Sequence, residues 1–306
     1  MNSYYPIFLT SIPPFRLDVI YKCISTWKDY AKMIISLNPI REIDTIKNTF
    51  DFVEIIPIDD TNKYVPIDNF LKLIIDDPNN HYVIINADIA FFNYTDNEWN
   101  KFLYTAYNYD LTIASRHDYS DNIFTAIPYK YGFDFFLLNH NFAKIIPRTN
   151  FYLGCVAWDY LFQLIGIINN KKILSCASLP IYHLKHLENW DKTFLYSKLI
   201  YLFEIIYNST KHNSNEVYNY LTKYKFIFEK LDKSNCDTSE IVGIITNFLF
   251  LKFIYNSCNY YDLETFRIFK NFNLNLDKDI DNVNLQFNNL LAPYLNSIKN
   301  LKEQLW

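Results

Sequence analysis

The sequence predicts an α/β protein: a largely parallel sheet flanked by helices over residues 1–190, then an all-helical region over 191–306. Three observations carry that prediction. Short apolar runs alternate with segments of helical periodicity through the first two thirds of the chain, as strand–helix–strand units do around a largely parallel sheet covered on both faces. Most of those apolar runs end in a polar or charged residue. After Trp190 the runs lengthen to helical size and are separated by Asn-rich or Asp-rich breaks.

The elements follow in order. Residues 5–12 form a first strand, closed by Pro13 and Pro14, because proline cannot donate to a ladder. Val19, Ile20, Cys23, Ile24 and Trp27 then share one helical face. Strand 33–37, helix 40–49 and strand 52–58 come next. Helix 66–75 begins at Pro66, whose fixed φ suits a first helical turn. Strand 82–85 is wholly apolar and ends in Asn86-Ala87-Asp88. Helix 99–107 and strand 111–114 follow, the strand ending in Ser115-Arg116. An irregular stretch over 118–154 contains strand 135–138. Helix 158–168 and strands 172–176 and 181–183 complete the first domain. Helices are expected at 193–208, 216–231, 239–255 and 283–301. Apolar stripes there, such as Ile241, Ile244, Ile245 and Phe248, read as packing surfaces; a homodimer contact or a membrane-surface contact is the open alternative.

Composition removes several function classes. Net charge is −4 with both signs mixed along the chain, so no basic stripe exists to release counterions from a nucleic-acid backbone. The five cysteines are an odd number, widely spaced and without a CxxC pair, which argues against a zinc knuckle or a disulfide framework. Only four glycines are present, and neither GxGxxG nor a GK[ST] loop occurs, so a glycine-rich phosphate cradle is excluded. There is no GxSxG elbow and no HExxH helix. The start of the chain lacks the charged and apolar blocks of a secretory leader, and no apolar run reaches spanning length. The expected location is cytoplasmic, with peripheral membrane contact open.

In an open α/β sheet, ligands bind beyond the carboxyl ends of the strands. The residues there are Thr10 and Ser11, Ser36 and Asn38, Asp59 and Asp60, Asn86 and Asp88, Ser115 and Arg116, and His183 and His186. A carboxylate such as Asp88 can hold Mg²⁺ or Mn²⁺, and imidazoles such as His183 and His186 suit Mn²⁺ or a softer ion. The alternatives are a turn or cap at Asp88 and an ordinary surface loop around the histidines. Asp159 opens a helix, where the dipole favours its ionised form; it reads as a general base or as a helix-end acid. Asp134, beside Gly132, reads as a sugar-hydroxyl acceptor or part of a tight turn. Arg116 reads as a phosphate partner or as the ion-pair partner of Asp118 or Asp134.

Together these motifs resemble the GT-A glycosyltransferase superfamily. The resemblance covers residues 5 to 191 and rests on Phe8-Leu9-Thr10-Ser11-Ile12-Pro13, Ile85-Asn86-Ala87-Asp88-Ile89, Ala114-Ser115-Arg116, Gly132-Phe133-Asp134, Ala157-Trp158-Asp159-Tyr160 and His183…His186…Trp190, in that order. It implies a Rossmann-type mixed sheet and a nucleotide-sugar donor, with Thr10, Ser11, Ile12, Asn38, Glu42, Arg116 and Asp134 near the donor. By that resemblance Asn86-Ala87-Asp88 would take the DxD position, Asp88 with His183 or His186 would ligate Mn²⁺ or Mg²⁺, and Asp159 would be the base of an inverting transfer or, if it only binds the acceptor, leave retention open. The expected acceptor group is a hydroxyl of a glycan or of a lipid-linked acceptor. Asn86 departs from the pattern by replacing the first acid. Two other readings compete: a GT-A-like binding or scaffolding protein without catalysis, and a sugar nucleotidyltransferase.

Overall fold

The computed structural model describes residues 4–59, 64–92, 94–129, 132–186 and 192–210, together with 217–218, 221–222, 246, 250, 253–254 and 257–261. All of these lie in one compact unit spanning 1–266. Asp60, Trp190 and Asp191 lie outside the described residues, as do nearly all of the helices expected at 216–231, 239–255 and 283–301, with their stripe at Ile241, Ile244, Ile245 and Phe248.

The strands are β1 (Ile7–Thr10), β2 (Met33–Pro39), β3 (Glu54–Ile58), β4 (His81–Ile85), β5 (Ile89–Phe91), β6 (Leu111–Ala114), β7 (His117–Tyr119), β8 (Ile127–Pro128), β9 (Phe135–Asn139), β10 (Ile173–Ser175), β11 (Ile181–Leu184) and β12 (Asn259–Tyr260). The helices are α1 (Leu17–Ser25), α2 (Ile40–Ile46), α3 (Ile67–Asp76), α4 (Asp96–Ala106), α5 (His140–Ala143), α6 (Leu161–Ile168) and α7 (Lys192–Thr210). Among the described residues, none of the helices is long and apolar enough to cross a membrane.

Eight strands form the main sheet in the order β12-β10-β6-β9-β4-β1-β2-β3. All its pairs are parallel except those of β9, which runs antiparallel to both β4 and β6. The expected mixed sheet flanked by helices is therefore the fold observed. One face buries Phe8, Val83, Ile85 and Leu137 with Ile24 of α1, Trp27 just beyond it, and Trp99 and Phe102 of α4. Removing each such ring from water contributes about 2–3 kcal/mol. On the other face Phe136 packs against Trp158 and Phe162, with ring centroids at 4.8 and 5.5 Å. The Thr95 capping box starts α4: its side chain accepts from the Glu98 amide while Glu98 returns a bond to the Thr95 amide.

A second, four-stranded sheet has the order β5-β11-β7-β8. Sequence periodicity predicted only β11 of these, because the others are two or three residues long. This small sheet stands where the main sheet's carboxyl ends open, and it carries part of the site.

Candidate functional site

The site is a cleft of about 490 Å³. The β1–α1 loop contributes Ser11, Pro13, Phe15 and Arg16, and the end of β2 with the start of α2 contributes Pro39, Arg41 and Glu42. Asn86, Ala87 and Asp88, then Arg116, Gly154, His183 and His186 supply the opposite wall.

Each side chain reaches the cleft for a local reason. Asn86 to Asp88 form a tight turn between β4 and β5, closed by the Ile89 amide donating to the Asn86 carbonyl at 3.2 Å. The turn at Asp88 and the carboxylate on the cleft are thus compatible. Helix α1 holds that turn: the Trp27 indole donates to the Ile89 carbonyl at 2.7 Å, and the Cys23 thiol lies 3.5 Å from the Asp88 carbonyl. Burial, aided by the Asp88 charge, pushes the Cys23 thiol up to about 12, so it stays a neutral donor.

Beside the β1–α1 loop, Ser36 and Asn38 form a buried brace. The Ile12 amide donates to Ser36 Oγ at 3.0 Å, Ser36 Oγ donates to Asn38 Oδ1 at 2.6 Å, and Asn38 Nδ2 donates to the Ile12 carbonyl at 2.7 Å and to Glu42 Oε2 at 3.1 Å. The brace fixes the direction of the Glu42 carboxylate, which is 16% exposed.

The opposite wall is a chain of ionic contacts. Asp134 Oδ1 accepts from Asn86 Nδ2 at 3.1 Å and from Arg116 Nη1 at 2.9 Å. Arg116 Nε donates to Asp118 Oδ1 at 2.7 Å, so both of the partners expected for Arg116 are real. Asp118 Oδ1 lies 3.1 Å from His183 Nδ1. His183 Nε2 and His186 Nε2 lie 3.3 and 3.6 Å from Asp88 Oδ2. Burial opposes charge on Asp88, but hydrogen bonds from His183 and His186 outweigh it and hold the carboxyl far below the usual range. Burial likewise opposes the His183 cation; the bonds to Asp118 and Asp88 outweigh it and raise the imidazole to about 9.

Ligand atoms of Asp88, His183 and His186 lie within 4.8 Å of one another. One carboxylate and two imidazoles fit Mn²⁺ or another borderline divalent ion. The charge fits as well. Asp118 and Asp134 both pair with the guanidinium of Arg116, while Asp88 lies against His183 and His186, so with neutral imidazoles the three carboxylates outnumber that guanidinium. A divalent cation would balance that excess and leave both imidazoles neutral for ligation.

The structure sorts the expected residues into two layers. Ser11, Glu42, Asn86, Asp88, Arg116, His183 and His186 line the cleft. Thr10, Ile12 and Asn38 are fully buried behind it, and Asp134 is 3% exposed beneath Arg116. Asp159 lies under the 132–133 backbone and accepts from the Phe133 amide at 3.2 Å. A Cβ at Gly132 would come within 2.6 Å of the Asp159 carboxylate, so that approach requires glycine. Burial dominates at Asp159 and, with the Asp134 charge, raises its carboxyl to about 7 against the Phe133 hydrogen bond. The helix-end effect expected to keep it ionised is therefore overcome.

Sequence reasoning did not select Arg16, Arg41, Tyr64 or Asp118 as site residues. Arg16 is exposed on the cleft in the left-handed region, φ 54°, at the start of α1. Its place directly after Pro13-Pro14-Phe15, at the end of β1, was the available signal. Lys185 is exposed away from the cleft lining.

No family model and no curated protein matches the chain. Among solved structures, it is similar to residues 1–349 of TarS from S. aureus, at 8% identity over 83% of this chain and 83% of that one, TM-score 0.48. It is also similar to the mannosyltransferase PcManGT from Pyrobaculum calidifontis, solved in complex with GDP-Man and Mn²⁺, at 6% identity over 80% of this chain and 74% of that one, TM-score 0.47. A third is 4-diphosphocytidyl-2C-methyl-D-erythritol synthase from Anaerococcus prevotii, at 9% identity over 65% of this chain and 99% of that one, TM-score 0.39.

Proposed function

We propose that the chain is a glycosyltransferase that moves a sugar from a nucleoside diphosphate donor to a hydroxyl of a glycan or lipid-linked acceptor. The observation that carries this reading is the convergence of Asp88, His183 and His186 at a cleft that also presents Arg16 and Arg116. Asp88, His183 and His186 would hold Mn²⁺ or Mg²⁺, which supplies positive charge for the diphosphate of the donor. Arg16, exposed on the cleft, adds fixed positive charge as the diphosphate departs, and Arg116, already paired with Asp118 and Asp134, orders the wall beside the cation ligands. Glu42, held by Asn38, faces the donor as a hydrogen-bond acceptor and suits N–H or ribose hydroxyl donors.

Asp159 is proposed as the general base on its chemistry: it lies beneath the 132–133 backbone, outside the residues that line the cleft, so the acceptor hydroxyl must reach it past that backbone. Its carboxyl, raised to about 7, is matched to proton abstraction near neutral pH. The acceptor hydroxyl gives its proton to Asp159, and its oxygen forms a bond to the anomeric carbon. The anomeric carbon–phosphate oxygen bond breaks, and the nucleoside diphosphate leaves with that electron pair. A single displacement of this kind inverts the anomeric centre.

The test is a thermal-shift screen of nucleoside diphosphates and nucleotide sugars with and without Mn²⁺, followed by assay of nucleoside diphosphate release. The expected result is stabilisation by one nucleotide, strengthened by Mn²⁺, and turnover that falls on the order of 1000-fold in Asp88→Ala with the fold retained. Undiminished turnover in Asp88→Ala would end the metal role. Binding without turnover would favour a scaffold, and pyrophosphate release from a sugar phosphate plus a nucleoside triphosphate would favour a nucleotidyltransferase.

A further inference from the structure

The small sheet holds a carboxylate to which the reaction above gives no part. Strand β11 is flanked by β5 and β7, and the register sets Ile89, His183 and Asp118 directly abreast. Asp88 immediately precedes Ile89, so the His183 imidazole falls between two carboxylates. Its Nδ1 lies 3.1 Å from Asp118 Oδ1 and its Nε2 lies 3.3 Å from Asp88 Oδ2. An imidazole that ligates a cation through Nε2 keeps its proton on Nδ1, and whatever accepts that proton sets the tautomer and the ring direction.

Asp118 is itself held in place. Arg116 Nε donates to the same Oδ1 at 2.7 Å, and the guanidinium is pinned by Asp134 and lies 4.2 Å from the Tyr129 ring centroid. The side chains of His183, Asp118 and Arg116 are only 7%, 11% and 13% exposed, so water competes poorly for these bonds. The Asp118–His183 contact requires no bend in the chain, because the parallel register of β7 and β11 already places these two residues opposite each other.

We infer that Asp118 is a positioning residue for the cation site: it accepts the Nδ1 proton of His183 and thereby aims the Nε2 lone pair at the cleft. The inference rests on the reading of Asp88, His183 and His186 as cation ligands. A residue that served only to pair Arg116 would support the fold without affecting cation affinity, and this difference is measurable.

The experiment is Mn²⁺ binding to the full chain, read by electron paramagnetic resonance of the free ion, with no donor present. Wild type is compared with Asp118→Asn, Asp118→Ala and His183→Ala, and thermal unfolding without cation checks that each folds. Asp118→Ala should weaken Mn²⁺ binding by about 100-fold, and Asp118→Asn, which keeps the shape and an accepting oxygen, by about 10-fold. If Asp118→Ala does not fold, Asp118→Asn decides the matter. Wild-type affinity in both Asp118 variants, with binding lost in His183→Ala, would overturn the positioning role and leave the metal reading intact. Absence of Mn²⁺ binding by wild type would overturn the metal reading and the positioning role with it.

Discussion

The two sheets differ in what holds them and in what they present. In the main sheet, β1 and β6 are buried at every residue and β4 at all but its first. In the small sheet, β11 alternates buried and half-buried residues, and all three residues of β7 are half-buried. The first is an apolar wall stabilised by burial on both faces. In the second, β5 is as buried and apolar as the main sheet, but β7, β11 and the turn before β5 are joined by ionic contacts, and these contacts carry the candidate chemistry. Stability and site are thus assigned to neighbouring but different layers, and a substitution in one should leave a recognisable signature in the other.

The largest expected effect lies in the main sheet. Phe8 is fully buried, with ring centroids 5.7 Å from Trp27 and 5.8 Å from Phe91. Phe8→Ala should cost about 3–5 kcal/mol in chemical denaturation. Mn²⁺ affinity of the protein still folded at low temperature should stay within a few-fold of wild type. A parallel collapse of Mn²⁺ affinity would show that the layers are one unit.

A smaller effect is expected at Asp159, between the layers. Its folded carboxyl is raised to about 7, above its unfolded value, so the folded state binds more protons between about pH 4 and 7. Stability from this group therefore falls as pH rises through that window, and the penalty is complete above it. Asp159→Asn should be more stable than wild type at pH 8 by about 2 kcal/mol, allowing for partial exposure, and equal to it at pH 4. Denaturation curves across that range check both the sign and the window. Equal stability at pH 8 would mean that the carboxyl is not held neutral by burial.

The smallest effect concerns Asn86. Its amide donates to Asp134, which already shares Arg116 with Asp118. An acid at 86 would replace that donor with a second acceptor beside the Asp134 carboxylate. Asn86→Asp should lose about 1–2 kcal/mol of stability and bring no tighter Mn²⁺ binding. Tighter binding without loss of stability would return position 86 to the cation site. On the present geometry the amide at position 86 has a local role, as a donor to Asp134 beside Arg116.

Much of the main sheet was legible because burial on both faces writes itself as an uninterrupted apolar run. Strand 111–114 and the stripe Val19, Ile20, Cys23, Ile24 and Trp27 are examples. The reversed direction of β9 was not legible, since an apolar run of 135–138 reads the same in either direction. β5, β7 and β8 are too short for any period to register. Arg16 has no periodicity to mark it; only its place after Pro13-Pro14-Phe15, in the loop that follows β1, points to the cleft.

The sequence alone determined the α/β class, the absence of a glycine-rich phosphate loop, and the set of polar residues that end the strands. Those properties depend on residue type and spacing along the chain. The tertiary structure alone decided which of those residues face the cleft. Ser11, Glu42, Asp88 and His186 do, while Thr10, Ile12 and Asn38 lie behind it. It also decided that Asp118 lies beside His183, and that burial outweighs the helix end at Asp159. The reason is physical: contact between residues 65 positions apart, and the loss of water around a carboxyl, are set by strand register and packing.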